Sequence, residues 1–314
     1  MATSGSVDFS VSRDNILTDA LIIVGAVGPD DTVPTNWTTH AARQLNKLVK
    51  ALQSKRIGLW ARKTGYILPI SDTNSVSLGP SGGHATLSYS QTTLTVASAA
   101  LATTVTVSST TGFGDTRAVG IELDDGTIQW TTQSGAAVGS VITVATALTD
   151  DASIGNYIYV YTTKLQRPVR IVEAYLSDLE GPTDVEMEVV AKAMYETIPT
   201  KESEGAPNTL NYDPQLDQGV AYFWPRFDSV RSVIKIIFQR PFEDFDASGD
   251  TPDFPQEWYD ALCYQLAVRL APVYGMPGAD RQMLSQEANA ALMLALENEP
   301  EEGSFLLQPT DGLH

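Results

Sequence analysis

Apolar residues recur at helical spacing near both ends of this chain and at strand spacing through its middle. Residues 12 to 25 predict a first helix. Ser12 is a candidate cap, Ile16, Leu17, Ala20, Leu21, Ile23 and Val24 form a broad apolar face, and Gly25 stops it. After the turn Gly28-Pro29-Asp30-Asp31, a second helix is expected from about Asn36 to Ser54 with Ala41, Leu45, Leu48 and Leu52 inward, and the two read as an antiparallel hairpin. The best-punctuated segment runs from Asp253 to Ala271. Asp253 is a candidate N-cap, Pro255 sits in the first turn, and Trp258, Leu262, Leu266 and Leu270 share one face with Ala261. Pro272, Gly275 and Pro277 end it. A last helix is expected over about 280 to 297. The tail from Glu299 to Pro309 lacks a helical period and reads as extended, with Phe305-Leu306-Leu307 as an apolar trio.

Between these ends the period changes to two. Tyr66 to Ile70 reads as a short strand closed off by Gly79-Pro80-Ser81-Gly82-Gly83. From about Gly83 to Thr163, Thr, Ser, Ala, Val and Gly dominate and charges nearly vanish. Strands are expected at 94–96, 104–107, 119–123, 127–131, 141–144 and 157–161, with Asp125-Gly126 as a hairpin turn. Six strands at short spacing describe a small sandwich or barrel, inserted into a chain of mixed composition. A second β region follows: 169–175, 220–225 and 232–238 read as strands, while Val185 to Val190 fits either a strand or the start of a helix. Pro225 ends its strand or places it at an edge.

The charge is strongly negative, −18 over 314 residues, which opposes simple nucleic-acid binding because duplex binding needs cations to neutralise phosphate. It is also uneven. No acidic residue occurs from Thr32 to Ser71, where Arg43, Lys47, Lys50, Lys55, Arg56, Arg62 and Lys63 fall, whereas carboxylates crowd the chain after Pro241. These regions could pair within a subunit, pair between neighbours, or form two solvated faces. No run of apolar residues is long enough for a membrane span. The N-terminus lacks a signal-peptide pattern, and the single cysteine, Cys263, permits no intrachain disulfide.

Catalytic chemistry is hard to find. His40, His84 and His314 are isolated from other ligand types, no phosphate-binding glycine loop or nucleophile elbow occurs, and no metal or cofactor is expected. Asp124-Asp125-Gly126 lacks the alternating ligands and distal Glu of a calcium loop. No spacing singles out a carboxylate pair for glycoside cleavage. Tyr222, Phe223, Trp224 and Phe227 could form a sugar platform, or a core or interface strand.

Two distant segments carry a family likeness. One is Ile16-Leu17-Thr18-Asp19-Ala20-Leu21 through Val27-Gly28, then Ala41 to Leu52 and Gly58-Leu59-Trp60. The other is Phe254-Pro255-Gln256-Glu257-Trp258 through Leu270-Ala271-Pro272-Val273-Tyr274-Gly275 and the final helix. Together they resemble the head-to-tail adaptor (tail accessory or tail tubular A) proteins of short-tailed bacteriophages, over less than half of the chain. The segment from Gly83 to Thr163 departs from the compact members of that family.

The resemblance implies an α+β fold, with a helical bundle from both chain ends, a central β-sandwich-like body and an inserted all-β module. Its parts would be a hairpin at 1–64, the β body at 65–82 and 164–252, the module at 83–163, C-terminal helices at 253–298 and a docking tail at 299–314. It implies a non-catalytic virion protein, assembled in the host cytoplasm. Such a protein forms a homo-oligomeric ring, typically of twelve copies, between the portal protein and the tail nozzle protein, and DNA passes through it without specific binding. Glu301, Glu302, Phe305, Leu306 and Leu307 would dock the portal. Arg43, Lys47 and Lys50 would face a neighbour or partner, and Tyr222, Phe223, Trp224 and Phe227 would face the nozzle. The module would hold tail fibres or spikes, or only stiffen the ring. The alternatives are a glycan-binding or glycan-cleaving tail component and a capsid-decorating β protein.

Overall fold

The computed structural model describes residues 5–297 apart from 7, 56, 57, 72 and 182. The chain divides into two compact units, Met1–Ala61 with Phe242–His314, and Arg62–Pro241. The described α-helices are α1 (Arg13–Ile23), α2 (Thr35–Gln53), α3 (Lys192–Glu196), α4 (Tyr259–Leu270) and α5 (Gly278–Glu297). All but α3 belong to the first unit.

In that unit α1 begins where expected, with the Ser12 hydroxyl accepting from the Asn15 N–H and the chain turning out through Gly25 at φ 72°. Pro34 precedes α2 and sets its entry. Helix α4 lies at the centre, packed by α1, α2 and α5. Trp258, Ala261, Leu262, Leu266, Ala267 and Leu270 are all buried, so α4 needs neighbours around most of its circumference. The hairpin expectation is therefore too narrow, since α1 packs on α4 as well as on α2. Helix α4 is entered through a 3₁₀ turn at Gln256–Trp258, and the Asp253 carboxylate accepts from the Glu243 N–H at 3.1 Å.

The second unit holds every described strand: β1 (Arg62–Ile67), β2 (Ser75–Leu78), β3 (Ala85–Thr86), β4 (Ser90–Val96), β5 (Thr104–Val107), β6 (Ala118–Glu122), β7 (Ile128–Thr132), β8 (Val141–Thr143), β9 (Tyr157–Tyr161), β10 (Arg170–Asp178), β11 (Thr183–Val189), β12 (Thr209–Asp213), β13 (Gly219–Trp224) and β14 (Ser232–Gln239). They form an eight-stranded sheet, β2-β13-β12-β11-β10-β14-β1-β3, and a six-stranded sheet, β7-β6-β9-β4-β5-β8. β11 and β12 are the one parallel pair described; the other pairs are antiparallel. Alternation sets the cores. Ile234, Ile236 and Phe238 of β14 point into the larger sheet's core, while Val105, Val107, Ile121 and Ile158 fill the smaller one. β3 pairs with β1, so Ala85 and Thr86 belong to the larger sheet although they lie in the charge-poor stretch.

The α+β expectation is corrected. The chain is mostly β, about 25% helical, and its strands make two curled sheets, a near-barrel and a half-barrel, in place of a helical bundle around a β-sandwich-like body. Curling follows from twist and irregular pairing, such as the register shift between Ile171 and Glu173 on β10 and between Leu94 and Val96 on β4. Such shifts leave little trace in apolar periodicity, whereas helix punctuation is conspicuous. No helix among the described residues is long and apolar enough to cross a membrane.

The two sheets meet through Leu68, Ile128, Tyr159, Tyr161, Val230 and Val233. Polar bonds fix that seam. Tyr159 Oη donates to Val230 O at 2.6 Å, Trp130 Nε1 donates to Pro69 O at 3.0 Å, and the Ser71 hydroxyl accepts from the Ile128 N–H at 2.9 Å. Glu122, whose side chain is only 9% exposed, accepts from Arg231 Nε at 2.8 Å and from the Tyr157 N–H at 2.7 Å. Arg231 also pairs with Glu180 and lies over the Tyr157 ring. Arg231→Ala would strand the Glu122 carboxylate, at a cost of about 2–3 kcal/mol given Arg231's partial exposure. Glu122→Gln keeps an acceptor for Tyr157 and costs less. Urea unfolding of the full chain, followed on the β unit's transition, checks that order.

Candidate functional site

Polar and charged groups converge in the helical unit where α2 meets the acidic loop that precedes α4. Asn46, Lys50 and Gln53 lie four and three residues apart, so one edge of α2 presents all three. Asn46 pairs reciprocally with the Phe245 backbone, its Nδ2 donating to the carbonyl and its Oδ1 accepting from the N–H, both at 3.0 Å. Lys50 Nζ donates to Phe242 O at 2.8 Å and sits 2.7 Å from Asp244 Oδ1. Gln53 Oε1 accepts from the Phe242 N–H at 3.1 Å. These bonds pin the loop backbone while the Phe242 and Phe245 rings enter the core.

The loop also neutralises its own strain of charge. Asp250 accepts from the N–H groups of Ala247 and Asp246, which hold its carboxyl below the usual carboxylate range. Arg13 forms a two-nitrogen contact with Asp14 and reaches Asp246 O. Trp60 closes the arrangement from the side. It stacks on Phe242 with ring centroids 5.7 Å apart and donates from Nε1 to Asp253 O, and Phe254 and Trp258 lie against it at 5.5 Å. Gly58 is at φ 99°, and a Cβ there would lie 2.8 Å from the Phe242 ring, so both backbone and space require glycine. Gly58-Leu59-Trp60 and Phe254 to Trp258, far apart in sequence, thus share one aromatic cluster.

Two open clefts flank this region, one of about 550 Å³ bordered by Arg13, Thr39, Arg43 and Asp246, and one of about 420 Å³ bordered by Glu243, Asp244, Asp250 and Asp253. Both are polar and of mixed or negative charge. Of the predicted basic face, Lys50 is committed to its own unit. Arg43 and Lys47 are exposed and form no ion pair among the described residues. The segregated charges of the sequence therefore meet, at least at Lys50 and Asp244, within one subunit.

The β-body aromatics do not form a common surface. Phe223 is fully buried and packs edge-on against Phe227 at 5.1 Å, so its assignment to a nozzle-facing surface is corrected. Tyr222 and Trp224 point to the opposite side of β13. Tyr222 lies beside Tyr195 of α3, and Trp224 Nε1 donates to Thr200 O. Consecutive strand residues alternate between faces, so the four do not share one surface, and Tyr222 and Trp224 are the two left on the partly exposed side. Phe227 borders a cavity of about 240 Å³, with Asp125, Glu204 and Asp228 among its other walls.

Asp124 and Asp125 form a hairpin tip. Ser153, through its hydroxyl and N–H, and Asn156 hold the Asp124 carboxyl below its ordinary range, while Asp125 accepts from the Thr127 N–H. No group of three or more His, Cys, Asp or Glu among the described residues could hold a metal. Burial pushes the Cys263 thiol up to about 12, with Asp19 and Asp260 adding to it, so it is an unreactive core residue. Glu301, Glu302, Phe305, Leu306 and Leu307 lie outside the described residues. The functional-looking contacts missed by sequence reading, Asn46 with Phe245 and Glu122 with Arg231, join residues distant along the chain. Glu122 did carry a signal, as a charge at the end of an otherwise apolar strand.

No family model matches the chain, and no curated protein matches its sequence.

Two predictions follow from these contacts. Asn46→Ala removes both bonds to Phe245 and should destabilise the helical unit by about 1–3 kcal/mol, whereas the exposed Lys50–Asp244 pair is worth at most about 1 kcal/mol; denaturant titration of each variant compares them. His84 stacks on Trp130 at 3.9 Å and its Nδ1 lies 3.0 Å from Tyr161 Oη. Burial, reinforced by Lys164, lowers its pKa from 6.5 to about 4. The unfolded chain then binds this proton first, so stability is lost as pH falls from about 6.5 to about 4 and levels off below. His84→Asn should flatten that part of a stability–pH curve.

Proposed function

We propose that this chain is a structural virion subunit, a ring-forming head-to-tail adaptor that joins the portal to the tail nozzle and forms part of the DNA channel. The observation that carries this reading is the division into two units with separate cores, 1–61 with 242–314 and 62–241. A connector needs two unlike surfaces, and two separately folded units supply them. The meeting of Gly58-Leu59-Trp60 with Phe254 to Trp258 supports it further, because these are segments on which the family likeness rests. A net charge of −18 suits a conduit that repels phosphate and lets DNA slide. For the glycan alternative the division of the β13 aromatics between two faces leaves Tyr222 and Trp224 as the one pair on a shared side.

In this reading residues from Glu301 onward engage the portal, and the six-stranded sheet carries appendages or braces the ring. That module exposes Val96 and Val138 to such a contact. The inward side covers Leu68 and Val233, so deletion of the whole module would uncover a core.

Native mass measurement tests the proposal. A ring-sized oligomer, alone or with portal, is expected; a stable monomer that cleaves peptidoglycan or capsule overturns it. Removal of residues from Glu301 onward should weaken portal binding by at least about tenfold, since a buried apolar trio contributes more than 1.4 kcal/mol. Undiminished binding would remove the docking role.

A further inference from the structure

Helix α5 is apolar on two sides. Leu284, Ala288, Leu292 and Ala295 are buried against the helical core. On nearly the opposite side of the helix, Met283, Ala290, Met293 and Leu294 make a second stripe, bordered by the exposed Gln286 and Glu287, with Met283 60% and Met293 61% exposed. With Phe9 and Val273, the three larger members of that stripe are the large apolar side chains that the described part of this unit exposes. A soluble helix ordinarily turns polar residues outward, and a two-sided one is covered twice.

The chain itself holds a segment of matching chemistry. Seventeen residues, 298–314, follow the last described position, and their one apolar run is Phe305-Leu306-Leu307. Proline disfavours a helix interior and glycine tolerates tight reversals, and the sequence places Pro300 and Gly303 ahead of the trio. The stripe extends back from Glu297 to Met283, about 21 Å at 1.5 Å per residue. The stretch from Glu297 to Phe305 spans up to about 26 Å when extended, so the trio can reach the far end of the stripe. Glu299, Glu301 and Glu302 lie in the connecting stretch and lose no hydration if only the trio docks.

We propose that Phe305, Leu306 and Leu307 fold back onto the Met283–Met293 stripe of α5 in the same chain and are released from it on assembly. Only the release step rests on the adaptor reading. The free chain then keeps its stickiest segment covered, and portal or a neighbouring copy must compete for it. An arm parked in this way delays association until a partner offers a better apolar surface.

Two measurements on the full chain test the contact. Met283→Glu with Met293→Glu alters only exposed positions, and circular dichroism confirms that the fold survives. If the trio is parked, chymotryptic cleavage at residues 305–307, read by mass spectrometry, is about tenfold faster in this variant, because cleavage follows the open population. An unchanged rate overturns the proposal. In the second measurement, Ala290→Cys is combined with Leu306→Cys and the protein is oxidised. Cys263 is buried and does not compete. An intrachain disulfide in a monomer supports the fold-back; a disulfide-linked dimer assigns the stripe to a neighbouring copy's tail and overturns the same-chain contact, and absence of any bond overturns it as well. Portal binding of the cross-linked chain separates the two readings. An intrachain bond that leaves portal binding intact keeps the parked contact and removes the tail's docking role. An intrachain bond that blocks portal binding until reduced supports both.

Discussion

Helix α4 can be stable only if it is covered on most of its sides. Trp258, Leu262, Leu266 and Leu270 form one buried row, and Ala261, Ala267 and Ala271 extend it around the helix. Twelve residues of helix are marginal in water without such packing. The cover comes from α1 and α2 at one end of the chain and from α5 at the other, so the termini have to meet before α4 is secure. The chain leaves the helical unit at Ala61 and re-enters at Phe242, where Trp60 stacks on the Phe242 ring. Neighbouring exit and entry points allow a large β unit to be accommodated between them, because closing a long excursion costs little more than closing a short one.

The same constraint explains the charge pattern. A loop with Glu243, Asp244, Asp246, Asp250 and Asp253 beside a packed core would repel itself. Its carboxylates are instead spent on backbone N–H groups, Asp250 on Ala247 and Asp246, and Asp253 on Glu243. Lys50 takes up Asp244, and Asn46 holds Phe245 without any charge. Neutral and charged clamps on one edge of α2 therefore anchor the aromatic residues that seal α4. The exposed ion pair contributes less to this than the paired amide, because solvent screens the first and not the second.

Local structure was largely legible in the sequence, and tertiary shape was not. Ser12, Gly25, the apolar rows of α2 and α4 and the strands at 104–107 and 157–161 follow from short-range patterns. The curl of the sheets does not, because it depends on bulges and on which strand edges meet. β3 shows the difficulty: two residues in a charge-poor stretch pair with β1, and nothing in their composition marks them as part of another sheet. The 3₁₀ turn ahead of α4 was not legible, because Gln256–Trp258 continues the same apolar period into the helix. The separation of Tyr222 from Phe223 was readable, since neighbours in a strand cannot share a face. The charged candidates fared according to range: Lys50 finds a partner 194 positions away, which no local pattern predicts.

The seam between the two sheets raises a different question, why a carboxylate is buried where an apolar residue would also pack. A buried ion pair adds little net stability, because desolvation offsets the attraction. Its effect here is directional. Glu122 must meet both Arg231 Nε and the Tyr157 N–H, and Tyr159 must reach Val230 O, so the six-stranded sheet fits its neighbour in one register. Flat surfaces of Val, Thr and Ala, which dominate that module, would otherwise slide against a partner with small changes in energy. A module held in one register presents Val96 and Val138 at defined positions, and that definition is what a subunit needs if its outward side is to meet other proteins in a repeating assembly.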